Sequence, residues 1–319
     1  MGASPVMSSR APLSHVLAPY SPEIAAWFED VPTPVPLNDH GMPRATVTIP
    51  SGRELDLGDA STRIVILAGP EAMNEPWALH SLAVHLGAPV ANTWGAKGIY
   101  PWDDPHHMGT CGLQRDDFSL LGFANFDLIV AIGVDSMESP AERFALAETI
   151  PLGVDREVFE RIRSQSVPRP FRPEPNELYA QMAAIAQPGY VDDSFPRHPA
   201  RAVMDLKQSL GPATRVTAQP GLAGLWVARS FPTDRMGSVI VPAIDRPGVG
   251  AAVGLVSALQ GTETVCVIQG PVDERTRMIV AAARDQGLPL RLEVWGDDVD
   301  WSRTDDLIAA AGPVVAWTQ

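Results

Sequence analysis

The chain has 319 residues, 45% hydrophobic and 19% charged, with a formal net charge of −14 and two cysteines. That length suggests about two domains whose cores need no disulfide, and the distant thiols Cys111 and Cys266 fit a reducing compartment. Acidity without a basic patch argues against a nucleic-acid partner, no run reaches the roughly 18–20 apolar residues of a membrane span, and the N-terminus lacks a signal-peptide pattern, so a soluble cytoplasmic protein is expected.

Residues 1–60 read as an N-terminal extension rich in Pro and turn formers, with a short helix near Pro22–Phe28. From residue 61 a doubly wound pattern starts. RIVILAG (Arg63–Gly69) is a short β-branched run ending in Gly, as buried parallel strands do. NEPWALHSLAVHLG places Trp77, Leu79, Leu82, Ala83 and Leu86 on roughly one helical face, with Asn74 as N-cap. APVAN is a second strand, DDFSLLGFANF a helix, and DLIVAIGVD (Asp127–Asp135) a third strand. Such alternation implies a parallel sheet with right-handed crossovers over residues 61–165. Residues 166–200 carry many prolines around one short helix near Asn176–Ala186, the composition of a linker. A second α/β pattern occupies residues 201–319. Its strands are RVTA, SVIVPA, ETVCVIQG, LPLRLEVWG and GPVVAW; its helices lie near Ala202–Leu210, Gly248–Leu259, Glu274–Asp285 and Thr304–Ala311. The expected fold class is α/β, with two doubly wound, Rossmann-like parallel-sheet domains joined by a proline-rich linker.

The stretch NTWGAKGIYPWDDPHHMGTCGLQ (Asn92–Gln114) leaves the second strand. Its aromatics and glycines can simply cover the sheet edge in tight turns, or the loop can line a crevice, because open α/β sheets bind ligands beyond the carboxyl ends of their strands. Asp103, Asp104, His106, His107 and Cys111 are residue types that suit a transition metal, but adjacent histidines point apart and the spacing fits no zinc pattern. No GxSxG elbow is present, and Cys266 lies in an apolar strand where a core role suffices. RPGVGAAVG (Arg246–Gly254) can present a helix N-terminus to an anion, or its glycines can serve close strand–helix packing.

VILAGPEA, LGAPVANTWGAKGIYPWDDPHHMGTCGLQ and FDLIVAIGVD, in that order, resemble the central domain of thiamine-diphosphate-dependent enzymes of the acetolactate synthase and 2-oxoacid decarboxylase group. RHPARAVMDLKQSL, RVTAQPGLAGLWVARSF and RPGVGAAVGLVSALQGTETVCVIQG resemble that family's diphosphate-binding domain. The resemblance implies that Gly69, Pro70, Gly95 and Lys97 would face a ligand of the central domain, FAD or ADP in some members. Gly248, Gly250 and Gly270 would lie at the diphosphate. The family holds the diphosphate through Mg²⁺ on a Gly-Asp-Gly turn and a later Asn, hard oxygen ligands for a hard ion. Here the turn reads Gln269-Gly270-Pro271-Val272, with Asp273 out of register. Trp295 or Gly296 stands where the Asn belongs, and Asp297 and Asp298 are offset from it. Residues 1–60 are fewer than the roughly 100 of a pyrimidine-binding domain. The resemblance therefore implies a pseudoenzyme or partner-dependent subunit. Thiamine diphosphate and Mg²⁺ would come only with a pyrimidine-domain chain, in a hetero-oligomer, while a homo-oligomer is the other assembly. An FAD- or ADP-type nucleotide-binding protein, or an active carbon–carbon lyase using Asp273 and Asp297, are the alternatives.

Overall fold

Ile64–Ala68 is buried from end to end, and its alternation organises the first half of the molecule. Ile64, Ile66 and Ala68 enter one core layer while Val65 and Leu67 enter another, as the two-residue period of a strand requires. The computed structural model describes residues 46–48, 54–56, 61–173 and 176–317. The helix expected near Pro22–Phe28 lies outside them. From Arg44 onward the chain is one compact unit.

Strands β1 (Thr46–Thr48) and β2 (Glu54–Asp56) form an antiparallel pair. The first large sheet contains β3 (Ile64–Ala68), β4 (Val90–Thr93), β5 (His107–Cys111), β6 (Leu128–Ile132) and β7 (Glu148–Leu152), in the order β5-β4-β3-β6-β7. The second contains β8 (Arg215–Ala218), β9 (Val239–Ile240), β10 (Thr264–Gln269) and β11 (Leu290–Trp295), in the order β11-β10-β8-β9. Every neighbouring pair in both sheets is parallel. Each order reverses direction once, between β3 and β6 and between β8 and β10, which is the doubly wound arrangement expected.

Helices α1 (Pro76–Leu86) and α2 (Arg156–Gln165) cover one face of the first sheet through Leu79, Leu82, Leu86, Phe159 and Ile162. Glu75, not Asn74, precedes α1, whose first residue is Pro76, and Gly87 closes it in the left-handed region at φ 58°, where glycine carries no Cβ penalty. The segment expected as one helix after Arg115 breaks instead into two single turns, Asp117–Leu120 and Phe123–Asn125. Helix α3 (Glu177–Tyr190) lies in the expected linker. Its Leu178 joins the first sheet's core, its Ala186 the second's, and Met182 packs on both. A segment with the composition of a spacer is therefore a wedge, because burial at both ends outweighs the proline content around it. Helices α4 (Pro199–Ser209), α5 (Leu222–Ser230) and α8 (Thr304–Ala311) cover one face of the second sheet, and α6 (Val249–Leu259) and α7 (Glu274–Asp285) the other.

Among the elements that form where none is expected are β1, β2, β5, β7, α2, α5 and the single turn Ala141–Phe144. GPVVAW is not a strand. It turns back onto the first sheet's loops, where the Val315 and Ala316 amides donate to Leu113 O at 3.0 and 3.1 Å.

Candidate functional site

Three places hold the residues that the sequence singles out. The first is the direction change of the first sheet. Gly69 N donates to Ile132 O at 2.9 Å and Glu71 N to Gly133 O at 3.2 Å, which ties the ends of β3 and β6 together. A methyl group on Gly69 would collide with Gly133 and Val134. Glycine there serves backbone-to-backbone approach. Pro70 opens the short turn Pro70–Asn74 beyond it.

The second place is the loop Asn92–Gln114. Gly95 N donates to Glu138 Oε2 at 3.3 Å. Glu138 is buried, and that burial pushes its carboxyl up to about 7 against the pull of the Gly95 amide. Buried Ser139 Oγ and Trp94 Nε1 lack hydrogen-bond partners. Lys97 is 5% exposed and has no side-chain partner among the described residues. Desolvation, with the Arg229 guanidinium adding to it, brings its ammonium down to about 7. Lys97 lines a cavity of about 470 Å³ walled by Trp102 and Thr110 of this loop, Met182 and Tyr190 of α3, and Arg229 of α5.

Arg229 itself uses four of its five N–H donors. It donates to Asp117 Oδ1 at 2.5 Å, to Gln114 Oε1 at 3.0 and 3.2 Å and to Thr110 O at 2.8 Å. Asp117 is fully buried; burial raises its pKa while the guanidinium and the Gln114 and Leu113 amides oppose that rise. Gln114 Nε2 donates onward to Leu307 O and Gly312 O, each at 2.7 Å. This network joins the two sheets, and it leaves Lys97 as the unbalanced cation of the cavity.

The metal-like cluster of the same loop disperses. His107 Nε2 faces Asn92 Oδ1 at 3.1 Å and burial holds the ring at about 4, hence neutral. Asp104 Oδ1 accepts from the His106 amide at 2.8 Å. Cys111 points into the sheet with its thiol pushed well up by burial. Among the described residues no three His, Cys, Asp or Glu side chains converge as a metal group would require.

The third place is the carboxyl end of the second sheet, where a metal-bound diphosphate is expected. Gln219, the residue after β8, occupies the N-terminus of α6. Its Oε1 accepts from Gly250 N at 3.0 Å and its Nε2 donates to Arg246 O at 2.9 Å and to Asp245 Oδ1 at 3.3 Å. A Cβ on Gly250 would stand 2.8 Å from Gln219 N, so the helix start is packed against β8, and the Gly250 amide, one of the orphan donors of that end, is already used. Gly248 caps the same helix and lies against Arg275. Gly270 N donates to Trp295 O at 2.8 Å, and the turn that follows offers Pro271 and Val272, which carry no side-chain oxygen. Asp273 is the N-cap of α7, accepting from Thr276 N at 3.0 Å and Thr276 Oγ1 at 2.5 Å. Asp298 pairs with Arg197 and accepts from Gly296 N at 3.1 Å. These residues do not fit a Mg²⁺-held diphosphate: the donor set is neutral at the turn, and Asp273 and Asp298 are engaged elsewhere.

Sequence reasoning missed Glu138, Arg229 and Asp117. Asp117, an acid facing the apolar run FSLLGF, was the available signal for a buried charge needing a cation.

Residues 56–168 match the family described as thiamine pyrophosphate enzyme, central domain. No curated protein matches the chain. Among solved structures, the chain is similar to a Mycobacterium smegmatis protein described as "a putative thiamin diphosphate-dependent enzyme". The TM-score is 0.57 at 16% identity, over 73% of this chain and 50% of that one. The chain thus spans half the length of that protein, and the likeness establishes the shared fold. No helix among the described residues is long and apolar enough to cross a membrane.

Proposed function

We propose that this chain, whose residues 56–168 match the thiamine pyrophosphate enzyme central-domain family, is a degenerate, partner-dependent subunit of a 2-oxoacid-processing enzyme of the acetolactate synthase or decarboxylase kind. The observation that carries the proposal is Gln219. A neutral amide occupies the helix start where an anion would need free N–H groups, and the Gly270-Pro271 turn beside it supplies no anionic oxygen for an ion. The chain's part in catalysis is then to scaffold or regulate a site completed by a pyrimidine-domain chain in a hetero-oligomer. The reading in which Asp273 substitutes as a metal ligand has against it that both carboxylate oxygens already serve Thr276.

Calorimetric titration of the purified chain with thiamine diphosphate and Mg²⁺ tests the degenerate site. No saturable heat is expected; a dissociation constant near about 1 μM, or about −8 kcal/mol, would overturn it. Affinity capture from the native host tests the partner, which is expected to carry a pyrimidine-type domain. Recovery of this chain alone as a homo-oligomer would remove the partner-dependent part.

A further inference from the structure

The cavity between the two sheets is separate from the diphosphate end, and its charges do not balance. Of the cations that line it, Arg229 is neutralised by Asp117, and Lys207 Nζ stands 2.6 Å from Asp234 Oδ2. His107 on the adjacent strand is neutral, with Nε2 engaged by Asn92. Lys97 remains, 5% exposed and without a side-chain partner among the described residues. The rest of the wall is largely apolar, including Leu178, Met182 and Phe231.

We infer that this cavity binds a small organic monoanion, a carboxylate on an apolar or aryl body, with the Lys97 ammonium as its charge partner. A cavity of about 470 Å³ lies within the range of small-molecule sites, roughly 300–1,000 Å³, in which an apolar lining carries one or two orienting polar groups. One uncompensated cation selects one negative charge. Phosphate, a dianion at about pH 8.5, would there keep a charge without a partner in an apolar enclosure, and that desolvation is not recovered. The unpartnered amine sits at about 7 because burial disfavours its cation. A bound carboxylate reverses that preference, so binding takes up a proton when the free amine is neutral. The inference does not depend on the fate of the diphosphate site, since none of its residues lies there.

The test is calorimetry on the full chain with phenylacetate and hexanoate, against phenylacetamide and inorganic phosphate, at about pH 6.5 and about pH 8.5. The acids are expected to bind at least about tenfold more tightly than the amide and phosphate. Above about pH 7 their affinity should fall by about tenfold per pH unit, with uptake of close to one proton per site read from buffers of different ionisation enthalpy. Lys97→Met should reduce acid binding to the level of the amide. Ala183→Trp, which fills the cavity and leaves Lys97 in place, should abolish binding of both, with cooperative melting confirming that each variant is folded. Absence of acid binding, equal binding of acid and amide, tighter binding of phosphate, or retained acid affinity in Lys97→Met would each overturn the assignment.

Discussion

The carboxyl ends of the two sheets have the same doubly wound geometry and opposite chemistry. Around the first are buried titratable groups, Glu138, Lys97 and Asp117 with Arg229, held by long-range contacts. At the second are Gln219, Gly270 and Pro271, with the nearby acids used as a helix cap and a surface ion pair. Topology supplies the place for a ligand, but side chains decide whether charge can be received there. The first sheet carries charge that its own burial destabilises, whereas the second presents amides that satisfy one another. Destabilised groups of that kind gather at functional sites more often than chance allows, which is why the space beside Lys97 attracts the ligand inference and the Gly270 turn does not.

Breaking the charge network at the first sheet should produce the largest effect. Arg229→Met leaves Asp117 buried and unpaired, a change that costs roughly 3–5 kcal/mol. Replacing both partners, Arg229→Met with Asp117→Leu, should recover part of that loss, since no charge is left stranded. Denaturant unfolding of the three proteins reads it. A single-variant loss below about 1 kcal/mol would mean that the pair behaves as a surface ion pair, and the contrast between the sheets would lose its basis.

The second sheet was the more legible half. Helices α7 and α8 coincide with their expected ranges, because polar and apolar residues alternate with the helical period. Strand β8 is likewise RVTA as read. Helix α5 was invisible for the opposite reason: all of Ala223–Ala228 is buried, so no polar face marks a period. Strand β5, His107–Cys111, is an edge strand recruited from a segment with Asp, Pro and Gly on either side, and only pairing with β4 makes it a strand. The site divides similarly. Lys97 stood out in the sequence as a lysine among glycines, yet its surroundings depend on Arg229 and α3, far along the chain. Local patterns reported the neutral Gln269-Gly270-Pro271 turn, but they could not report which charges would be left unbalanced between the sheets.

Glu138 sharpens the comparison through pH. Its ordinary pKa is near 4.5, and burial raises it to about 7 in the folded chain. Between those values the unfolded chain has lost a proton that the folded chain keeps, so this group makes stability fall as pH rises through the window. At about 1.4 kcal/mol per pH unit the ceiling is about 3 kcal/mol. Glu138→Gln, which keeps an acceptor for Gly95 N, should match wild type near about pH 4 and exceed it by at most about 3 kcal/mol above about pH 7. A difference that stays flat across that range would show that folding leaves the carboxyl's pKa unshifted.

Asp273 gives the smallest and most selective effect, because its two assignments predict different responses. As the N-cap of α7 it satisfies the Thr276 amide, and Asp273→Ala should cost about 1 kcal/mol whether or not Mg²⁺ is present. As a metal ligand it would make the wild-type midpoint climb with Mg²⁺, by about 2.7 kcal/mol at a hundredfold excess over the dissociation constant, and Asp273→Ala would lose that gain. Thermal unfolding of both proteins across a Mg²⁺ series separates the two. An unmoved midpoint in wild type, with a constant offset in the variant, is expected if the second sheet uses its acids for structure alone. A Mg²⁺-dependent rise that disappears on substitution would place charge-receiving chemistry at both sheets and abolish the contrast between them.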